Sequence, residues 1–221
     1  MKVTVSVHGR WHAFELATEL QDRGLLSQLL TTYPRMAVKQ ITTRTLPVIS
    51  RPSLEIRRRI YDHWRFGAKP DRKIAAAFGR FASKQVSPDT NLFIGWSSAS
   101  LEAIPIVQGR GGKVVIERGS THIQHQMDML RTGYERVGLP WDGTDPLIVE
   151  RELAEYQAAD AIAVPTTFAR QSFIDHGIPG DKIIVNPYGT DLSERAGGRE
   201  KIGGGPLRLL FVGGISVRKG A

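Results

Sequence analysis

The spacing of apolar positions changes period again and again along the chain. Residues 2–7, KVTVSV, set Val between polar residues in a β-prone run that ends close to Gly9. Residues 11–24, WHAFELATELQDRG, then space their apolar side chains three and four apart up to a Gly stop, which predicts a helix. LSQLLTT (26–32) predicts a second strand. Two helices follow, 53–67 and 71–86, separated by GAKP, whose Gly and Pro punctuate them. NLFIGW (91–96) predicts a strand, and SSASLEAIPIVQGRGG a helix with Ser at its start and glycines at its end. KVVIE (113–117) is a further strand, followed by a loop and helix over 118–136 and a loop of Gly, Pro and Asp over 138–146.

From there the rhythm tightens. DPLIVERELAEYQAAD (145–160) predicts a helix with Asp145 at its cap and Pro146 at its first position. AIAVP is a buried strand, TTFARQSFIDHG a helix capped by Thr166 or Thr167, and DKIIVNP another strand. This alternation predicts an α/β fold: a Rossmann-like parallel sheet with helices on both faces. Residues 192–206 break it, being rich in Gly and lacking apolar periodicity, and are expected to be a linker. LRLLFV then begins a new strand. The expected organisation is a Rossmann-like domain over 1–191, the linker 192–206, and 207–221 as the first strand and phosphate loop of a second domain held only in part.

Composition narrows the function. The chain is 41% hydrophobic and 24% charged, ordinary values for a globular protein. It has no Cys, which excludes disulfides, thiolate zinc sites and a Cys nucleophile. No apolar run approaches the ~20 residues of a membrane span, and the N-terminus turns polar too soon for a secretory signal. A cytoplasmic protein is expected. The net charge of +8 favours polyanionic partners, and its cations concentrate in 51–84, while 145–160 is acidic. Nucleic acid is not the expected partner, because there is no RNP-like strand, zinc knuckle or helix-turn-helix pattern.

Ligands of open parallel sheets bind outside the carboxyl ends of the strands. Three such loops carry chemistry. In HGRWHAF (8–14), Gly9 permits close approach of the backbone to a ligand, and Arg10 precedes a helix start suited to an anion or polar sugar. The stretch lacks a G-x-G-x-x-G pattern, so a dinucleotide is not implied. In ERGSTHIQHQ (117–126), Arg118 suits phosphate, and Ser120 and His122 suit hydroxyls. His122 and His125 have no third ligand nearby, and Ser120 is not in a nucleophile elbow, so neither a metal nor a catalytic triad is expected. In FVGGISVRKG, Gly213 and Gly214 permit a tight turn, with Arg218 and Lys219 beside exposed amides in a setting suited to a diphosphate.

Taken together these stretches resemble the retaining GT-B glycosyltransferases of the family 4 type. The resemblance is carried by ERELAEYQAADAIAVPTTFARQSFIDHGIPGDKIIVNPYGTDL (150–192), with its acidic helix, AD-x-I strand, P-[ST] cap and terminal YG-x-D, and by LRLLFVGGISVRKG; HGRWHAFELATEL is similar more weakly. It implies transfer of a sugar from a nucleotide-diphosphate donor to a saccharide or lipid-linked acceptor, with retention and without a metal or other cofactor. Gly213, Gly214, Arg218 and Lys219 would hold the donor phosphates, and Gly9, Arg10, Arg118, Ser120 and His122 would contact acceptor or donor sugar. No catalytic residue is assigned. The family's paired glutamates, eight apart, have no counterpart within the 221 residues, so these residues alone are expected to be weak or inactive. The resemblance also implies peripheral contact with the inner membrane surface through Arg57, Arg58 and Arg59. The competing expectation is a non-catalytic Rossmann-like module that binds a glycan or a protein partner.

Overall fold

The computed structural model describes residues 1–42, 44–64, 69–189, 210, 212 and 214–219. Within them the predicted alternation closes into one seven-stranded sheet, parallel at every pairing. The strands are β1 (Val3–Val7), β2 (Leu26–Thr31), β3 (Val48–Ser50), β4 (Leu92–Trp96), β5 (Lys113–Glu117), β6 (Ala161–Val164) and β7 (Ile183–Val185), in the spatial order 3-2-1-4-5-6-7. The helices are α1 (Ala13–Asp22), α2 (Arg35–Ile41), α3 (Pro52–Trp64), α4 (Asp71–Gln85), α5 (Ile104–Gln108), α6 (Ile123–Arg136), α7 (Pro146–Ala158) and α8 (Thr167–Ile174).

The strands are apolar because both faces of the sheet are covered. Val3, Val5 and Val7 of β1 pack with Phe14 and Ala17 of α1 and with Leu29 of β2. Leu30 projects to the opposite face and joins Phe78, Ala82, Phe93 and Ile116. A third cluster, built on Tyr156, Ile162, Val164 and Phe173, fills the end of the sheet under α7 and α8. The helix starts follow their local chemistry: the Asp145 carboxylate accepts from Leu147 N–H, and Thr166 Oγ1 from Ala169 N–H.

Some elements depart from the sequence reading, and two, α2 and β3, were not foreseen. The helix expected from Ser97 begins only at Ile104. Residues 97–103 form turns because their backbone N–H groups are claimed from outside the segment: Glu155 of α7 accepts from Ser98, Ser100 and Leu101 at 2.6, 2.7 and 3.0 Å. DPLIVERELAEYQAAD, acidic in sequence, therefore buries two of its carboxylates, Glu152 and Glu155. The segment between β2 and α3 adds α2 and the three-residue edge strand β3, which pairs with Leu29–Thr31. Of the expected second-domain segment, the linker 192–206 and Gly213 lie outside the described residues. Val217–Lys219 form a single 3-10 turn. A Cβ placed on Gly133 of α6 would come within 3.3 Å of a Val217 methyl, so this turn lies on the flank of the β5–α6 unit.

Candidate functional site

Strand order reverses between β1 and β4, so the loops leaving their carboxyl ends diverge and open a crevice there. The β1 loop enters it. Gly9 has φ +150°, and a Cβ there would meet the Trp11 indole at 3.2 Å and the Arg58 guanidinium at 3.6 Å; only Gly permits that path. Thr31 Oγ1 donates to the Gly9 carbonyl at 2.8 Å and ties the loop to the end of β2. Arg10 is exposed, with a long 3.4 Å contact to Glu15.

The next residue to matter is His12, at the cap of α1. Its Nε2 lies 3.1 Å from Oε1 of Glu117, the last residue of β5. The imidazole thus reaches across the end of β4, with its ring 5.0 Å from Trp96 and 4.1 Å from Tyr188. Glu117 is buried and His12 is about one third exposed. With Nε2–H donating to the carboxylate, Nδ1 keeps its lone pair, and it makes no capping bond to the helix. A buried carboxylate that orients an imidazole and steadies its protonated form is a proton-accepting device. Tyr188 comes from the YG-x-D stretch, and its hydroxyl stands where a Gly119 Cβ would be, at 2.6 Å. Burial and the nearby Glu117 push its phenol up to about 12, so it remains a neutral donor. Tyr188, His12 and Arg10 also line a hollow of about 1020 Å³ over α1.

The other expected site residues are placed differently. Arg118 turns inward: its guanidinium pairs with buried Glu152 at 3.3 Å and donates to Thr121 O and Gln126 Oε1. Neighbouring Tyr156 and Glu152 hold its pKa up against the cost of burial. His122 is only 1% exposed. Its ring stacks on His176 at 4.4 Å and meets Tyr156 and Phe173, while Nδ1 accepts from Gln124 N–H as the cap of α6. The sequence expectation put His122 on a ligand, but the fold uses it as core and cap. Ser120 is half-buried in the loop, and Gly214, Arg218 and Lys219 are exposed. The pair His12–Glu117 was not assigned as a site from sequence, and its residues stand 105 apart.

His8 completes the surroundings of the crevice. Its Nδ1 is buried and without a partner among the described residues. Burial, then the guanidiniums of Arg58 and Arg151, lower its pKa to about 4 against an opposing influence of Glu55. Burial, then His176, Arg118 and His125, lower that of His122 to about 4 as well. Both imidazoles stay neutral in the folded protein at pH values where the unfolded chain takes up protons. The stability these two histidines contribute is therefore full above about pH 6.5 and falls as the pH drops towards about 4. Urea unfolding at pH 7 and pH 4.5 should show a clear drop in midpoint. His122→Asn, which keeps a capping acceptor but does not titrate, should reduce that drop; an unchanged drop would remove His122 from the account.

No family model matches the chain, and no curated protein does. Solved structures do. UDP-GlcNAc 2-epimerase from Methanocaldococcus jannaschii aligns over 84% of this chain and 45% of its own, at 9% identity and a TM-score of 0.48. Phytolacca americana UGT2, solved with UDP-2fluoro-glucose and pterostilbene, aligns over 86% and 54%, at 14% identity and 0.48. A ugt transferase from Siraitia grosvenorii in complex with UDP aligns over 86% and 51%, at 12% and 0.41. The chain thus spans about half the length of these structures.

Proposed function

We propose that the chain is the acceptor-side part of a glycosyltransferase, which moves a sugar from a nucleotide-diphosphate donor to an acceptor hydroxyl. The observation that carries this reading is the His12–Glu117 pair at the reversal of strand order. Transfer breaks the bond between the anomeric carbon and the diphosphate oxygen, forms one to the acceptor oxygen, and releases the acceptor's proton. His12 Nδ1 takes that proton, and Glu117 stabilises the imidazolium. Gly9 and Arg10 border the space for the sugars. Gly213, Gly214, Arg218 and Lys219 hold the donor phosphates; preorganised cations of this kind are worth about 3 kcal/mol at a developing phosphate charge. The division 1–191, 192–206 and 207–221 belongs to this proposal, as do metal independence and a role in polysaccharide synthesis.

The 150–192 stretch favours retention of anomeric configuration. The carboxylate-held base favours a second course, a single in-line displacement with inversion. Both are read from one experiment. The product of the complete reading frame containing these residues is incubated with nucleotide-sugar donors and acceptor panels, and the anomeric proton coupling of the product is measured. Either anomer supports transfer and selects the course. Donor binding without transfer to any acceptor would instead favour a binding module.

We also propose that α3 rests on the cytoplasmic side of a membrane. Ile56, Ile60 and Trp64, four residues apart, are 55%, 57% and 71% exposed and form one apolar stripe beside Arg57 and Arg59. Arg58 and Arg59 both pair with buried Glu55, which leaves Arg57 as the cation of the three without an ion pair among the described residues. No helix among the described residues is long and apolar enough to cross a membrane. Co-sedimentation with anionic vesicles should fall at least about tenfold in Ile60→Ser/Trp64→Ser, and undiminished binding would sink the idea.

A further inference from the structure

A second hollow, which shares no lining residue with the one over α1, lies between α3, α4 and α7 and measures about 750 Å³. Its form follows from residue spacing. On α4, Arg72, Lys73, Ala76, Ala77 and Arg80 recur at four-residue intervals and share one face. On α7, Leu147, Glu150, Arg151 and Ala154 do the same. The short side chains of Ala76, Ala77 and Ala154 leave the space between the helices unfilled, so the floor is apolar and the rim charged. Arg57 of α3 joins that rim.

The charges around the rim do not cancel. Arg151 is neutralised by Glu102 in a two-point pair whose shorter contact is 2.7 Å, and Arg72 faces Asp145 at 4.0 Å. Arg57, Lys73 and Arg80 have no ion-pair partner among the described residues. Three uncompensated cations against Glu150 leave a net charge of about +2 converging on one hollow. Like charges on a convex helix face spread into solvent. Here they surround a concavity with apolar walls, where the field is focused and an anion is drawn in. A phosphate monoester carries about −2 at neutral pH, which matches the deficit, and the alanine floor suits an apolar body attached to it.

We propose that this hollow is a binding site for a phosphate monoester borne on an apolar group, either a free small molecule or a lipid headgroup. The site stands apart from the sugar-transfer reading and survives if that reading fails. Its test is calorimetric titration of the 221-residue protein with n-hexyl phosphate, with inorganic phosphate and with vesicles containing phosphatidic acid. Hexyl phosphate should bind several-fold more tightly than inorganic phosphate. Lys73→Gln/Arg80→Gln should weaken it at least tenfold, whereas Arg23→Gln/Arg131→Gln, equal in charge removed but on α6 and the end of α1, should leave it unchanged. Ala154→Phe fills the hollow from an exposed position without altering charge and should weaken binding as much as the double variant. Binding of vesicles but not of hexyl phosphate, with the same sensitivity to variants, identifies the lipid headgroup as the source. Equal losses in both double variants, or full affinity in Ala154→Phe, overturns the proposal, since bulk charge rather than the hollow would then account for binding. Absence of binding to every probe overturns it as well.

Discussion

Under the proposed glycosyl transfer, exchange of His12 for Ala is expected to lower the rate by about 10²–10⁴-fold, the usual contribution of a positioned base. The argument rests on what the ring does and does not touch. Nε2 is engaged by Glu117 at 3.1 Å, the ring is held near Trp96 and Tyr188, and α1 makes no use of Nδ1. Because the proton leaves the acceptor as the new bond forms, the loss should fall mainly on kcat and little on KM. Glu117→Gln removes the charge that steadies the imidazolium but keeps an oxygen for Nε2–H. Its rate should lie between wild type and His12→Ala. A His12→Ala enzyme within threefold of wild type would show that the proton leaves by another route, such as the departing diphosphate.

The largest expected effect on stability is that of Glu155→Ala, about 3 kcal/mol or more. One buried carboxylate satisfies three backbone N–H groups, those of Ser98, Ser100 and Leu101. Ser98 and Ser100 are themselves buried, so water cannot replace the lost acceptor without opening the structure. Leaving a buried donor unpaired costs about 1–3 kcal/mol each. Ser98 also sits at φ +70°, an uncommon conformation for a residue with a Cβ, and is pinned by Glu155 on its N–H and by Arg151 on its carbonyl. Burial pushes the Glu155 carboxyl up to about 8, against the opposing effect of those N–H bonds. Glu155→Gln keeps one acceptor oxygen and should lose less than the Ala variant. Chemical unfolding at neutral pH checks both, and a loss below about 1 kcal/mol for Ala would show that the 97–103 segment finds other partners.

These two residues mark how far the sequence can be read. Every strand but β3, and most helices, were legible because each carries its own signal: apolar β-branched runs for β1 and β5, Asp145-Pro146 for the start of α7, Thr166 for α8. What was not legible depends on contacts between distant segments. SSASLEA has a helical spacing and a Ser cap, yet a carboxylate 55 residues away takes its N–H groups. Edge strand β3 has three half-buried residues and too short a pattern to show a period. The GSTHIQ stretch does look like a ligand loop, and Glu117 stood within its polar cluster. Nothing local reveals that His122 folds inward while Glu117 finds His12, because that depends on β1, β4 and β5 lying side by side.

The position of β1 has a consequence for synthesis. It is the first strand of the sheet in chain order and lies inside it between β2 and β4, yet that second partner starts only at Leu92. At about 5–20 residues per second, one hydrogen-bonding edge of β1 stays unpaired in the nascent chain for roughly 4–17 s. Slowing translation between β3 and β4 should therefore raise aggregation of a protein whose finished sheet encloses that edge completely.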